Sequence, residues 1–263
     1  MAGAKRGIGL HWLRGMEDAL AAMVALIGER YGRMPIIMGV VVGLVTAVAL
    51  SLAGPSALLV DNYMFPLSFM FTLLTIAFVS VAGNLARELE TGEVSLYTYT
   101  RLGRTGYVVS WIAAVVLQVA VIIFVSITLP ILFYAPYAVV NSRVLVIEAA
   151  ILLQLLYHAL LLVAIALLTR SYRRYINMAL GFFLILPFGT GMLLSVLASA
   201  DIIDFDTVER VFNVVGAVTY PLFDVLDSVF TRKSVMTTLV YTALAVIILP
   251  VVLLAYAGRR MEV

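Results

Sequence analysis

Apolar residues fall along the chain in six long runs, separated by short stretches that gather most of the charge. The runs cover residues 34–52, 63–81, 108–132, 144–168, 176–197 and 236–256. Each is near the ~20 residues a helix needs to cross a bilayer. Residues 105–142 hold no charged side chain, and Pro130 and Pro136 favour one long span with an outer loop over two spans. Ahead of the first run, residues 11–31 read as an amphipathic helix. Leu13, Met16, Leu20, Met23, Val24, Ile27 and Tyr31 share one face, while Arg14, Glu17, Asp18 and Arg30 lie mostly elsewhere. Such a helix lies in the headgroup plane with Trp12 as an anchor, and Gly32 to Pro35 turns the corner into the first span. Between the fifth and sixth runs, residues 198–234 carry two further stripes. Asp206 with Glu209 makes a capping box for Val208, Val211, Phe212 and Val215. Pro221 then suits the start of a second short helix with Leu222, Val225, Leu226 and Val229. These outer half-helices either dip back into the membrane or lie flat on it.

Composition agrees with the pattern and fixes the class. Hydrophobic residues make up 63% and charged ones 12%, against roughly 45–50% and about 25% in soluble domains. The expectation is a single all-α integral membrane domain over residues 1–263. The net charge of +2 is too small and too spread to suggest nucleic acid. With no cysteine there is no disulfide, thiolate metal site or cysteine nucleophile. Trp12, Arg14, Glu17 and Asp18 interrupt any cleavable signal peptide. Orientation follows from the basic residues. Lys5, Arg6, Arg14, Arg30, Arg33, Arg87, Arg101, Arg104, Arg170, Arg173, Arg174, Arg259 and Arg260 fall on one side, against Arg143, Arg210, Arg232 and Lys233 on the other. The positive-inside bias therefore predicts both termini in the cytoplasm of a cell with this chain in its plasma membrane.

The candidate chemistry is sparse. A phosphate-binding loop needs a glycine before its lysine, but alanine precedes Lys5 and arginine precedes Lys233. The chain is not expected to hold ATP in that way. Only His158 sits near the centre of a span, with Gln154 one turn away and Gln118 midway along the third span. An intramembrane ionisable group is a functional candidate, so these three are candidates to line a translocation path. The structural alternative, which we prefer, is an interhelical hydrogen bond between spans three and four. No acid lies mid-span, Glu148 being at the outer edge of the fourth, which argues against an ion-coupled carrier. Ser56 falls in an outer loop, too shallow to form a protease pair with His158. Two histidines far apart make no metal site.

The most distinctive stretch is 86–107. It carries Glu88, Glu90 and Glu93 first and Arg101 and Arg104 last, with Gly92 interrupting it and Gly103 closing it. We read it as two short cytoplasmic helical pieces with a joint, acids at the helix start and arginines at the end. Glu88-Leu-Glu90-Thr-Gly92, followed by Arg104 and entry into a span at Tyr107, resembles the permease subunits of type-2 ATP-binding cassette (ABC) transporters. The six-span layout, the interfacial helix, the outer half-helices and the basic tail Gly258-Arg259-Arg260 share that resemblance. Glu93, Ser95 and Arg101 depart from the residues common there. The resemblance implies a transport subunit of an exporter, not itself an enzyme. It would pair with a second permease copy, as a homodimer or paralogous heterodimer, and clamp to a separate ABC ATPase that holds the ATP and Mg. Glu88, Glu90, Gly92, Arg101 and Arg104 would form the coupling segment. A secondary carrier or channel without an ATPase is the alternative, and an intramembrane enzyme a more distant one.

Overall fold

The structure, a computed structural model, describes residues 17, 20–21, 33–53, 64–95, 103–138, 140, 142–219 and 235–260. Most of the interfacial segment 11–31, residues 221–234 and Arg101 lie outside the described residues. Among the described residues the chain is helical, with no strand. Their main helices, in order, are α1 (Arg33–Ala53), α2 (Met64–Thr91), α3 (Gly103–Ile123, continued through Phe124–Thr128 and Leu129–Tyr134), α4 (Ser142–Thr169), α5 (Tyr172–Leu180, Gly181–Gly189 and Thr190–Ser199), α6 (Phe205–Thr219) and α7 (Val235–Arg260). Among the described residues, four stretches are long and apolar enough to cross a membrane: Arg33–Leu52, Thr105–Tyr134, Val144–Thr169 and Tyr172–Ser199. The protein is accordingly a membrane-embedded helical bundle. The expected spans 63–81 and 236–256 fall on α2 and α7, helices of 28 and 26 residues.

The core lies where α2, α3 and α4 meet. Phe78 and Leu85 of α2, Trp111 and Val119 of α3, and Ile151, Leu155 and Leu162 of α4 are fully enclosed. Lipid is as apolar as leucine, so close packing holds such helices together more than hydrophobic burial does. Small residues set the closest approaches. On α1, Gly39 packs against Ile122, and a Cβ on Gly43 would stand 2.6 Å from the carbonyl oxygen of Val125. The α1–α3 contact therefore depends on a glycine pair four residues apart. By contrast, α5 leaves Ile185, Phe188, Met192 and Val196 exposed on the outside of the bundle.

Two helices widen where proline would otherwise break them. Pro130 has no N–H for the carbonyl four residues back, and its ring crowds that carbonyl. The chain takes a π-helical turn over Phe124–Thr128, just before it, with the Leu129 N–H reaching back to the Phe124 oxygen. Pro187 sits inside a longer π-helical stretch, Gly181–Gly189. Such widenings absorb the lost hydrogen bond without ending the span.

Two expectations change here. The joint at Gly92 does not separate two short helices that begin with acids. Instead, α2 runs unbroken from Met64 to Thr91, a length of about 42 Å at 1.5 Å per residue. That exceeds the ~30 Å hydrocarbon core, and the last turns of this same helix carry Glu88 and Glu90. The acids thus sit at a helix C-terminus, which their charge disfavours. Gly92, at φ +78°, ends the helix in the left-handed conformation that glycine adopts without a side-chain clash. The second change is the cap of α6. Asp204, two residues before the expected Asp206, accepts the Thr207 N–H at 3.2 Å. The Thr207 side chain and its backbone N–H hold the Asp204 carboxyl below its usual range.

Candidate functional site

Two polar clusters stand out, one at the end of the bundle where α2 and α4 finish and one at mid-depth.

At the first, Glu88 is 4% exposed and takes a hydrogen bond from the Tyr107 hydroxyl of α3 at 2.5 Å. Residues 86–107, read from the sequence as cytoplasmic helical pieces, are thus partly enclosed by the bundle at this residue. One turn up the helix, Gly83 is flush beneath the rings of Tyr172 and Tyr175, where a Cβ would meet them at 3.1 and 3.3 Å. Tyr175 is buried and donates its hydroxyl to the Val79 carbonyl at 2.8 Å. Arg87 lies over the Tyr172 ring, 4.9 Å from its centre, a cation–π contact.

Glu90 is exposed and makes the third tie. Its carboxylate accepts the Ser171 hydroxyl at 3.0 Å and the Tyr172 N–H at 3.1 Å. Ser171 is the N-cap of α5, in extended geometry, and its own side chain caps nothing. Glu90 therefore supplies from another helix the negative charge that the α5 N-terminus favours. The pairing of acid with helix start holds physically, but the helix is α5 rather than a cytoplasmic piece of 86–107. The corner that presents Ser171 is tight. Arg170 adopts φ +49°, its N–H bonded to the Ala166 carbonyl at 3.1 Å, a conformation that costs a non-glycine residue about 1 kcal/mol or more. Beyond α2, the Ser95 N–H and hydroxyl both return to the Gly92 carbonyl, at 3.0 and 2.7 Å, and Val94 is buried, while Thr91, Gly92 and Glu93 are exposed. The exposed tip is thus carried on the ends of α2, α3 and α5. The side chain of Arg104, at the start of α3, lies outside what the structure describes, as Arg101 does.

The second cluster centres on His158 of α4, which is fully buried. Its Nδ1 meets the Thr75 hydroxyl of α2 at 2.9 Å, and its Nε2 meets the Thr219 carbonyl of α6 at 2.7 Å. A carbonyl only accepts, so Nε2 carries the proton and a neutral ring takes the Thr75 O–H at Nδ1. The Gln154 side-chain amide also faces Nε2, and its oxygen must be the facing atom, because that N–H cannot serve a second donor. Phe183 of α5 meets the ring edge-on, with centres 4.7 Å apart. The ring thus bonds to α2 and α6, helices that the expected pairing of spans three and four does not include. Gln118 takes no part in it; buried on α3, its Oε1 has no hydrogen-bond partner among the described residues.

Sequence reading missed Thr75, Thr219 and Tyr175, since none belongs to a local motif, and it placed Tyr107 at the entry to a span without its bond to Glu88. Gly39 and Gly43 were also missed, although G-x-x-x-G inside an apolar run of twenty is a readable packing signal. Among the described residues no three His, Asp or Glu side chains converge as metal ligands would.

No protein-family model, curated protein or solved structure matches this chain.

Proposed function

We propose that the chain is the permease subunit of a type-2 ABC exporter in the plasma membrane, with six spans and both termini in the cytoplasm. The six apolar runs and the one-sided distribution of lysine and arginine support that topology. In this reading residues 86–107 dock on a separate ATPase chain, and two permease copies enclose the path. The observation that carries it is the way Glu88 and Glu90 are used. They bind Tyr107, Ser171 and Tyr172, so the exposed Thr91–Glu93 tip is fastened to three helices at once. A push on that tip moves the ends of α2, α3 and α5 as one body. ATP-driven closure of the partner would bias the bundle by its unequal affinity for two arrangements.

The test uses Glu93, which is exposed on the tip. Purified alone, the chain should neither bind nor hydrolyse ATP. The complex extracted from its native membrane should hydrolyse ATP, and Glu93→Lys should remove that activity from the purified material with helical content unchanged. A parent protein that transports with no ATP-hydrolysing chain attached would end this reading. It would favour the second one, a carrier or channel working alone, for which the buried polar cluster at His158 is the supporting observation.

A further inference from the structure

α4 and α5 are joined by only two residues, Arg170 and Ser171. The stretches on either side, Val144–Thr169 and Tyr172–Ser199, are each long and apolar enough to cross a membrane. A connection that short keeps the ends of both helices at one membrane surface. Four arginines gather at this corner. Arg170 is in the turn, Arg173 and Arg174 follow in the first turn of α5, and Arg87 reaches over the Tyr172 ring from α2. All four are exposed.

The acids close by do not answer this charge. Glu88 is buried against Tyr107, and Glu90 holds the Ser171 hydroxyl and the Tyr172 N–H. Glu93 stands on the tip beyond Gly92. Arg173 and Arg174 bond to no acid among the described residues. The corner is also firmly seated. Tyr175 and Ala179 turn into the bundle, with Tyr175 bonded to the Val79 carbonyl and packed on Gly83. The outward face of the same turns carries Arg173, Arg174 and Asn177, and then the exposed Met178 and Leu180. Met178 lies four residues past Arg174, about 6 Å along the helix. Charge thus gives way to apolar side chain within the ~5–8 Å that headgroups add to each side of the hydrocarbon core.

We infer that this corner binds an anionic phospholipid, with its charged headgroup against Arg173 and Arg174 and its acyl chain along Met178 and Leu180. Clustered arginine beside a spanning helix attracts anionic lipid. A free anion would use the arginines but not the apolar surface that continues from them. The inference rests on the membrane-embedded fold and stands whether or not an ATPase docks at the neighbouring tip.

The chain has no cysteine, so Met178→Cys gives a single site for a fluorescent label beside the arginines. Met192→Cys, on the same helix toward its other end and 73% exposed, gives a control site. The full-length protein is placed in phosphatidylcholine vesicles containing phosphatidylglycerol. One lipid or the other carries a spin label at the top of an acyl chain, which quenches a fluorophore it touches. Phosphatidylglycerol should quench the label at 178 at a lower mole fraction than phosphatidylcholine, with little difference at 192. Arg173→Gln together with Arg174→Gln should cut the preference at 178 about 5- to 30-fold, the loss expected when two arginines leave an anionic surface. Quenching at 192 should not change. Arg173→Lys together with Arg174→Lys should keep most of the preference, because the charge remains. An equal preference at 178 and 192, or one that survives the Gln pair, would overturn the site. A loss that the Lys pair fails to restore would do the same, since the arginines would then act through the fold. So would displacement of the lipid by inorganic phosphate at constant ionic strength, which would make this a site for a free anion.

Discussion

The cluster at the end of α2 and the cluster at His158 both tie together helices distant in sequence, yet they use different chemistry for the same task. The first uses ionisable acids. Glu88 is sunk against Tyr107 and Glu90 is left in contact with water against the start of α5. The second uses a neutral imidazole, a hydroxyl, an amide and a main-chain carbonyl, all buried. Depth accounts for the difference. A carboxylate tolerates the end of a bundle, where water and helix termini share its charge, while mid-depth sites favour groups that are satisfied without ionising. The difference also predicts how each site fails: the end should be sensitive to charge, and the middle to hydrogen-bond geometry.

The largest effect should come from Glu88→Lys. The substitution removes the acceptor of the Tyr107 hydroxyl and places an ammonium in a site that is 4% exposed. Breaking a buried charged contact in this way costs on the order of 3–5 kcal/mol, read as a fall in the thermal unfolding midpoint in detergent. Glu88→Gln keeps an acceptor and should lose about 1–2 kcal/mol. If Glu88→Lys unfolds at the parent temperature, Glu88 is not a structural tie and the two clusters cannot be compared as such.

At mid-depth, His158→Leu should have a smaller effect, about 1–2 kcal/mol, because hydrogen bonds inside membrane proteins average well under 1 kcal/mol each. The loss should not respond to salt, since no charge is removed. A loss as large as that of Glu88→Lys would mean that the mid-depth cluster, not the charged end, carries the bundle.

How much of this is legible in the sequence divides along the same line. The apolar runs announce membrane helices because backbone groups in lipid must be bonded within the helix itself. His158 announces itself as a lone titratable residue inside such a run. Its partners do not, because Thr75 and Thr219 are separated from it by 83 and 61 positions and threonine occurs on many helix faces. Glu88 and Glu90 were legible as a charged motif, but their locations were not. Charge along the sequence suggested water, whereas the continuation of α2 past Gly83 and Leu85 carries Glu88 into contact with α3. The π-helical widening before Pro130 was similarly hidden. Proline signals a break, and only the neighbouring α1, with glycine at 43 against the Val125 carbonyl, shows that the helix bends its pitch and continues.

The smallest effect sharpens the comparison most, because it separates charge from hydrogen bonding at a single residue. Glu90→Gln keeps a carbonyl oxygen for the Ser171 hydroxyl and the Tyr172 N–H but removes the negative charge from the start of α5. Glu90 is exposed, so its interaction with the helix terminus should be worth about 0.3–1 kcal/mol at low salt. That contribution should shrink as the ionic strength rises, since screening acts over about 8 Å at physiological salt and only about 3 Å at 1 M. Unfolding midpoints of the parent and Glu90→Gln should therefore converge as salt is added, while those of the parent and Glu88→Lys stay apart. If the Glu90→Gln gap persists unchanged in 1 M salt, Glu90 acts through bond geometry like His158, and the division between a charged end and a neutral middle does not hold.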